Sequence, residues 1–329
     1  MARALLLGGA GFIGAHLAAR LLDDGHTVTL VDDLSRSRRD AELQALAGRG
    51  VVIVERDLTR PDAFADLARD WEHVYLLAAV VGVRNVERDP ARVLRVNGLS
   101  VLHALDWLPG RGETLFFAST SETYAGGVMA GTVPVPTPEA VPLGVPDVTA
   151  PRFAYSISKI FGEAAVLHAA HARGARCVIG RFHNVYGPRM GADHVIPELA
   201  LRALACEDPF RVYGAGQRRA FCHVGDAVEA IVRLMVTAAA AGQVVNIGND
   251  GDETRIEDLV TLVLRVAGFR PRLERLPAPP GSVERRCPDI SRLRALTGFV
   301  PKISLEAGVA ETFAWYRDRW PLKPPEEHK

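Results

Sequence analysis

The chain predicts a doubly wound α/β fold: a parallel sheet covered by helices on both faces, with a smaller mixed lobe toward the C-terminus. Three observations carry that expectation. Short apolar runs alternate with helical patterns through the first 182 residues, as strands buried on both faces require. A glycine triplet, Gly8, Gly11 and Gly14, falls directly between the first apolar run and the first helical pattern. An acid, Asp32, ends the next run about 20 residues further on.

Each element follows from its residues. "RALLLGG" (3–9) is a strand closed by glycines, and "GFIGAHLAARLLDDG" (11–25) is a helix stopped by Gly25. "HTVTLVD" (26–32), "VVIVERD" (51–57) and "VYLLAA" (74–79) are strands, and "DPARVLRVNGLSVLHALDW" (89–107) is a long helix. "ETLFFAST" (113–120) and "RCVIGRF" (176–182) are strands separated by the helix "FAYSISKIFGEAAVLHAAHARG" (153–174). Past Phe182 the loops lengthen and Pro and Gly become frequent, as in "VYGPRMG" and "LPAPPGS". One helix–strand pair, "GDAVEAIVRLMVTA" (225–238) and "VVNIGN" (244–249), returns to the sheet. The expected division is therefore a nucleotide-binding domain of residues 1–182 and 223–249, and a lobe of residues 183–222 and 250–329. The polar, proline-rich tail "PLKPPEEHK" is expected to be disordered.

Composition removes whole classes of function. At 329 residues and 48% hydrophobic, the chain has ample material for a large core. Its 39 basic residues equal its 39 acidic ones, so no global charge draws in nucleic acid or an anionic membrane. The four cysteines, Cys177, Cys206, Cys222 and Cys287, lack metal-ligand spacing and read as reduced core thiols of a cytoplasmic protein; no metal is expected. The opening residues mimic a signal peptide, but the spaced glycines and following aspartates argue against one. No segment offers the ~18 apolar residues that a membrane span needs.

The glycine triplet permits a tight turn and close backbone approach, and the helix that it opens points its N-terminus at a pyrophosphate. Asp32 accepts a hydrogen bond from an adenosine ribose hydroxyl and repels a 2′-phosphate, which favours NAD over NADP; Arg36, Arg38 and Arg39 weaken that preference. Asp57 either contacts the adenine amino group or caps the next helix.

"ASTSETYAG" (118–126) crowds hydroxyls and a carboxylate where a buried strand ends, and "YSISK" places Tyr155 and Lys159 one helical turn apart on one face. A phenol titrates near 10, too high for a base at neutral pH, and a neighbouring ammonium brings it down.

"GGAGFIG", "STSETYAG", "YSISK" and "NVYGP", in this order, resemble the extended short-chain dehydrogenase/reductases that act on nucleotide sugars, and the match runs over nearly the whole chain, through "GAGQRRAFCHVGD", "NIGN" and "PDISRLRALTGFVPKISLEAGVAETFAWY". The resemblance implies a Rossmann domain that binds NAD, a UDP-sugar substrate, and a homodimer formed through helices of about 91–107 and 153–173. It implies Thr120, Tyr155 and Lys159 as catalytic triad, with Asn97 in the supporting network. Its cofactor set is Gly8, Gly11, Phe12, Ile13, Gly14, Asp32, Asp33, Asp57, Leu58, Leu77, Ala78, Ala79, Asn97, Ser119, Tyr155, Lys159 and Val185.

Within that family, "Thr-Ser-Glu" (120–122) and "ERRCPDIS" (284–291) are similar to the UDP-glucuronate decarboxylases, with Cys287 departing from their usual lysine. Ser121 stands where 4,6-dehydratases carry an aspartate that protonates a leaving hydroxyl. The expected reaction is oxidation at C4, loss of carbon dioxide and optional re-reduction, to UDP-xylose or its 4-keto form. Glu122 is assigned the proton delivery at C5, by its own acid or a water that it orders, and Arg286 the substrate carboxylate or diphosphate. Val81, Gly82, Ser121, Asn184, Arg189, His194, Val195, Tyr213, Arg219 and Arg286 form the substrate set; His194 equally fits an ordinary exposed histidine. A 4-epimerase is the nearest rival. A 4,6-dehydratase and a non-catalytic dinucleotide sensor follow.

Overall fold

The computed structural model describes residues 1–35, 40–110, 112–251, 253–279 and 281–319. Arg36, Arg38, Arg39 and the tail from residue 320 lie outside the described residues. Seven parallel strands form the main sheet: β1 (Arg3–Leu7), β2 (Thr27–Asp32), β3 (Val52–Glu55), β4 (His73–Leu76), β5 (Thr114–Thr120), β6 (Arg176–Phe182) and β7 (Gln243–Ile247). Their spatial order is β7-β6-β5-β4-β1-β2-β3. All seven were expected from their apolar runs. The order reverses between β1 and β4, which opens a crevice at the carboxyl ends of these two strands.

Helices α1 (Phe12–Asp23), α2 (Ala41–Gly48), α3 (Pro90–Trp107), α4 (Ala154–Arg173), α5 (Val195–Leu204), α6 (Val224–Val236), α7 (Ile256–Ala267) and α8 (Leu305–Arg319) complete the frame. Leu17, Ala18 and Leu21 of α1 join Val228, Ile231 and Leu234 of α6 in the core under one face of the sheet. Val101, Ala104 and Leu105 of α3 join Val166 and Ala170 of α4 under the other. The centre of the sheet is thus covered on both faces, with every residue of β5 buried, while edge strand β3 stays partly exposed. The eight-residue α2 had no strong period; Asp40 starts it by accepting from the Leu43 N–H at 2.9 Å.

One close approach sets the site. A Cβ on Gly162 would lie 2.4 Å from Phe117 Cζ. The missing side chain lets α4 close on β5, so the Lys159 ammonium reaches the Ala118 carbonyl at 2.7 Å.

Beyond the sheet, Tyr186, Ile196, Leu199, Phe210, Leu259, Val263, Val309 and Phe313 form a separate core from α5, α7, α8 and short strands. Strand Arg218–Ala220 lies between the antiparallel strand Glu253–Arg255 and the parallel strand Arg285–Arg286. Ile290, Leu293 and Phe299 cross back into the core of the main sheet. Among the described residues no helix is long and apolar enough to cross a membrane.

Candidate active site

The glycine turn is built for close packing. Gly8 has a φ of +82°, and a Cβ there would meet Ala78 Cα at 2.4 Å; one on Gly14 would meet the Gly9 carbonyl oxygen at 2.4 Å. A Cβ on Gly11 would meet nothing closer than 3.7 Å, so the turn is open above that residue. Gly11 caps α1 without a side-chain hydrogen bond, and the first turn holds no acid. The residues therefore fit a bound diphosphate: amides at a helix N-terminus that no side chain caps, with Phe12 and Ile13 in its first turn. Asp32 accepts from the Ala10 N–H at 3.0 Å and the Leu34 N–H at 2.9 Å. Burial outweighs these bonds and raises its carboxyl above the ordinary value. Asp33 is turned to Ser35.

Asp57 accepts from the Thr59 amide and hydroxyl at 2.9 and 2.7 Å, which makes it a local turn former. Leu58 and Val185 are core side chains, so only their main chains are available to a ligand. Leu77 and Ala78 follow β4 with their amides on the Leu7 carbonyl, and Ala79 continues the loop. Asn97 is 2% exposed; its oxygen accepts from the Val80 N–H at 2.7 Å and its amide donates to the Ser158 hydroxyl at 3.0 Å. It thereby fixes the loop beneath Val81 and Gly82, which starts the helical turn Val83–Arg88.

Thr120 ends β5 and accepts from the Glu122 N–H at 3.3 Å. The Lys159 ammonium lies 5.8 Å from the centroid of the half-buried Tyr155 ring and 4.8 Å from that of Phe117. Burial pushes Lys159 down to about 8, against the opposing charge of Glu163. Lys159 and Tyr155 thus lie together against the carboxyl-end half of β5, the strand that Thr120 ends.

Glu122 follows in the same turn and forms a 2.6 Å ion pair with Arg286. Burial pushes its carboxyl up, but Arg286, with Arg152 and Arg219 beyond it, outweighs this and holds it below the ordinary value. Glu122 is thus a carboxylate near neutral pH, which suits the second of its two expected roles, ordering a water. Arg286 stands in register with Arg219 on the adjacent parallel strand. Arg219 donates to the Arg218, Val283 and Glu284 carbonyls and to Gln217, and burial with the neighbouring Arg286 lowers it to about 10. Tyr213 is exposed at the end of its strand, beside Gly214, whose turn packs on Gln217.

Other expected residues fall elsewhere. Arg189 does not join Arg219 and Arg286: it donates to the Ala10 and Gly11 carbonyls at 2.8 Å and pairs with Asp40, so it braces the glycine turn. Asn184 adopts a positive φ and donates to the Ala220 carbonyl at 2.8 Å. His194 is the residue before α5, and Val195 opens that helix. The Ser119 hydroxyl, 2% exposed, is spent on Glu163. Sequence reading gave no role to Arg152, although it stands in "PRFAYSISK" (151–159), or to Glu163, whose spacing of four from Lys159 was available. Of the four cysteines, Cys177, Cys222 and Cys287 are buried, whereas Cys206 is exposed and is not a core thiol. Among the described residues no cluster of His, Cys, Asp or Glu could hold a metal.

The chain resembles known proteins over most of its length. The model of the NAD dependent epimerase/dehydratase family matches residues 4–248. A UDP-N-acetyl-alpha-D-glucosaminuronate decarboxylase of Bacillus cytotoxicus is 31% identical, over 96% of this chain and 98% of its own. UDP-glucuronic acid decarboxylase 1 of Danio rerio is 30% identical, over 95% of this chain and 72% of its own. The solved UDP-glucose 4-epimerase of Thermotoga maritima, with UDP-glucose, superposes with a TM-score of 0.84 at 29% identity, covering 96% of this chain and 99% of that one.

Proposed function

This chain belongs to the NAD-dependent epimerase/dehydratase family, and from that membership we propose that it decarboxylates UDP-glucuronate. NAD is its cofactor. Gly8, Gly11, Gly14 and the amides of Phe12 and Ile13 would hold the diphosphate of NAD, and Asp32 its adenosine ribose. When bound, NAD supplies reversible oxidation of the sugar at C4.

The protein's residues do the rest. Tyr155 takes the proton of the C4 hydroxyl, and the Lys159 ammonium favours the phenolate that this requires. Thr120 holds the same oxygen. A ketone at C4 is β to the C5 carboxylate, so carbon dioxide leaves with its electrons flowing into the carbonyl. Thr120 and Tyr155 stabilise the enolate oxygen that results. Glu122, as a carboxylate, orders the water that protonates C5. Arg286 and Arg219 bind the anionic groups of the substrate; planar guanidinium suits carboxylate and phosphate alike.

The observation that carries this reading is the Glu122–Arg286 pair in the turn that follows Thr120. Removing a carboxylate calls for a cation to orient it and a group to order the water that protonates C5; inversion at C4 calls for neither. The second reading, a 4-epimerase, is favoured by the likeness to the Thermotoga maritima enzyme. Incubation with UDP-glucuronate and NAD separates them. Product lighter by one carbon dioxide supports decarboxylation, and product of unchanged mass with altered stereochemistry refutes it. The same reading includes a homodimer. Leu94 and Leu102 on α3 and Phe161 on α4 are 42%, 41% and 44% exposed, and a second copy would cover them.

A further inference from the structure

Lys159 is the first of only four lysines in the chain, with Lys302, Lys323 and Lys329. It is 3% exposed. Glu163 lies one turn beyond on the same face of α4 and is also 3% exposed. Its carboxylate accepts the Ser119 hydroxyl at the end of β5. It also accepts two N–H bonds from Arg181, at 2.8 and 2.6 Å, from the end of β6. Arg181 donates further to the Tyr124 hydroxyl at 2.8 Å, and Tyr124 donates to Asn246 at the end of β7, again at 2.8 Å. One acid thus ties the helix that carries Lys159 to the ends of three adjacent strands.

A buried ion pair is often no more stabilising than a well-packed apolar pair of the same volume. Stability alone is therefore a weak reason for this one, and its place beside Lys159 supplies another. The groups facing Lys159 among the described residues are Tyr155 and Glu163 on its own helix, and the Ala118 carbonyl and Phe117 ring from β5. From α3 comes only neutral Asn97, through Ser158. In the turn after β5, Glu122 is balanced by Arg286.

We propose that Glu163 is the positioning residue of Lys159: clamped by Arg181 and Ser119, it holds the α4 turn against β5 and supplies the negative charge that keeps the buried ammonium protonated beside Tyr155. The inference rests on the catalytic reading of Tyr155 and Lys159, but its test needs no turnover. With so few lysines, 13Cε-lysine NMR of the full chain with NAD resolves Lys159, assigned by its loss in Lys159→Arg. Glu163→Gln leaves Arg181 unbalanced and lowers the Lys159 titration midpoint by about one pH unit or more. Arg181→Gln leaves Glu163 unbalanced and raises it. Glu163→Asp keeps it near the wild-type value. Midpoints in Glu163→Gln or Arg181→Gln equal to wild type overturn the proposal, and either variant decides alone. If both singles fail to fold, Glu163→Gln/Arg181→Gln, which leaves no unpaired charge, is used. Its Lys159 signal then sharpens as the clamp is lost, and a signal as immobile as wild type overturns the proposal. The two readings fail separately: without decarboxylation the shifts persist, and without the clamp decarboxylation persists while the shifts vanish.

Discussion

Replacing Glu122 by Gln removes one negative charge from the midst of Arg286, Arg152 and Arg219 and changes little else. The Glu122 and Arg286 side chains are 29% and 19% exposed, so water screens the pair only in part. Unit charges about 4 Å apart interact by roughly 4 kcal/mol at an effective dielectric near 20. A hydrogen bond to a charged group is worth about 1.5–3 kcal/mol net, and this smaller figure is the better guide. The released Arg286 turns that interaction toward an anionic ligand, so UDP should bind about 10- to 100-fold more tightly to Glu122→Gln by calorimetry. Turnover moves the other way. Loss of the carboxylate that orders the protonating water should lower carbon dioxide release by about 10²- to 10⁴-fold, the usual worth of a proton-transfer group. The assay is release of labelled carbon dioxide from carboxyl-labelled UDP-glucuronate under saturating NAD. A variant that releases it at the wild-type rate, with UDP affinity unchanged, would refute both the ion-pair argument and the role of Glu122.

Three further outcomes follow from the geometry. Lys159→Met should be inactive yet melt higher than wild type at pH 7: the folded state holds Lys159 at about 8 against 10.5 unfolded, so its proton costs stability below about 8. That cost, ~3 kcal/mol, fades as pH rises from about 8 to 10.5, and a gap in melting temperature independent of pH would contradict it. Gly14→Ala forces a methyl to 2.4 Å from the Gly9 carbonyl oxygen, and should cost about 1–3 kcal/mol and weaken NAD binding; undiminished NAD affinity by fluorescence titration would count against the assigned turn. Phe161→Glu places a charge on the exposed face of α3 and α4 and should leave a monomer in sedimentation; a dimer that persists rejects that face as the interface.

The chain's own order of residues determined the sheet and the location of its chemistry. All seven strands are short apolar runs, and such runs can be buried only between two layers of helices. The glycine triplet and Tyr155 with Lys159 were legible for the same reason: their spacing is local, and local geometry converts spacing into position. Tertiary structure decided what spacing cannot carry. Glu122 meets Arg286 across 164 residues, and that encounter holds its buried carboxyl below the ordinary value. Arg189 lies in sequence beside the expected substrate residues, yet a positive φ and the carbonyls of Ala10 and Gly11 take it to the glycine turn. Ser119 and Thr120 are neighbours in one strand, but alternation sends one hydroxyl down to Glu163 and leaves the other at the strand end. Charges and hydrogen bonds act over a few ångströms, so their partners are set by which strand ends the fold gathers.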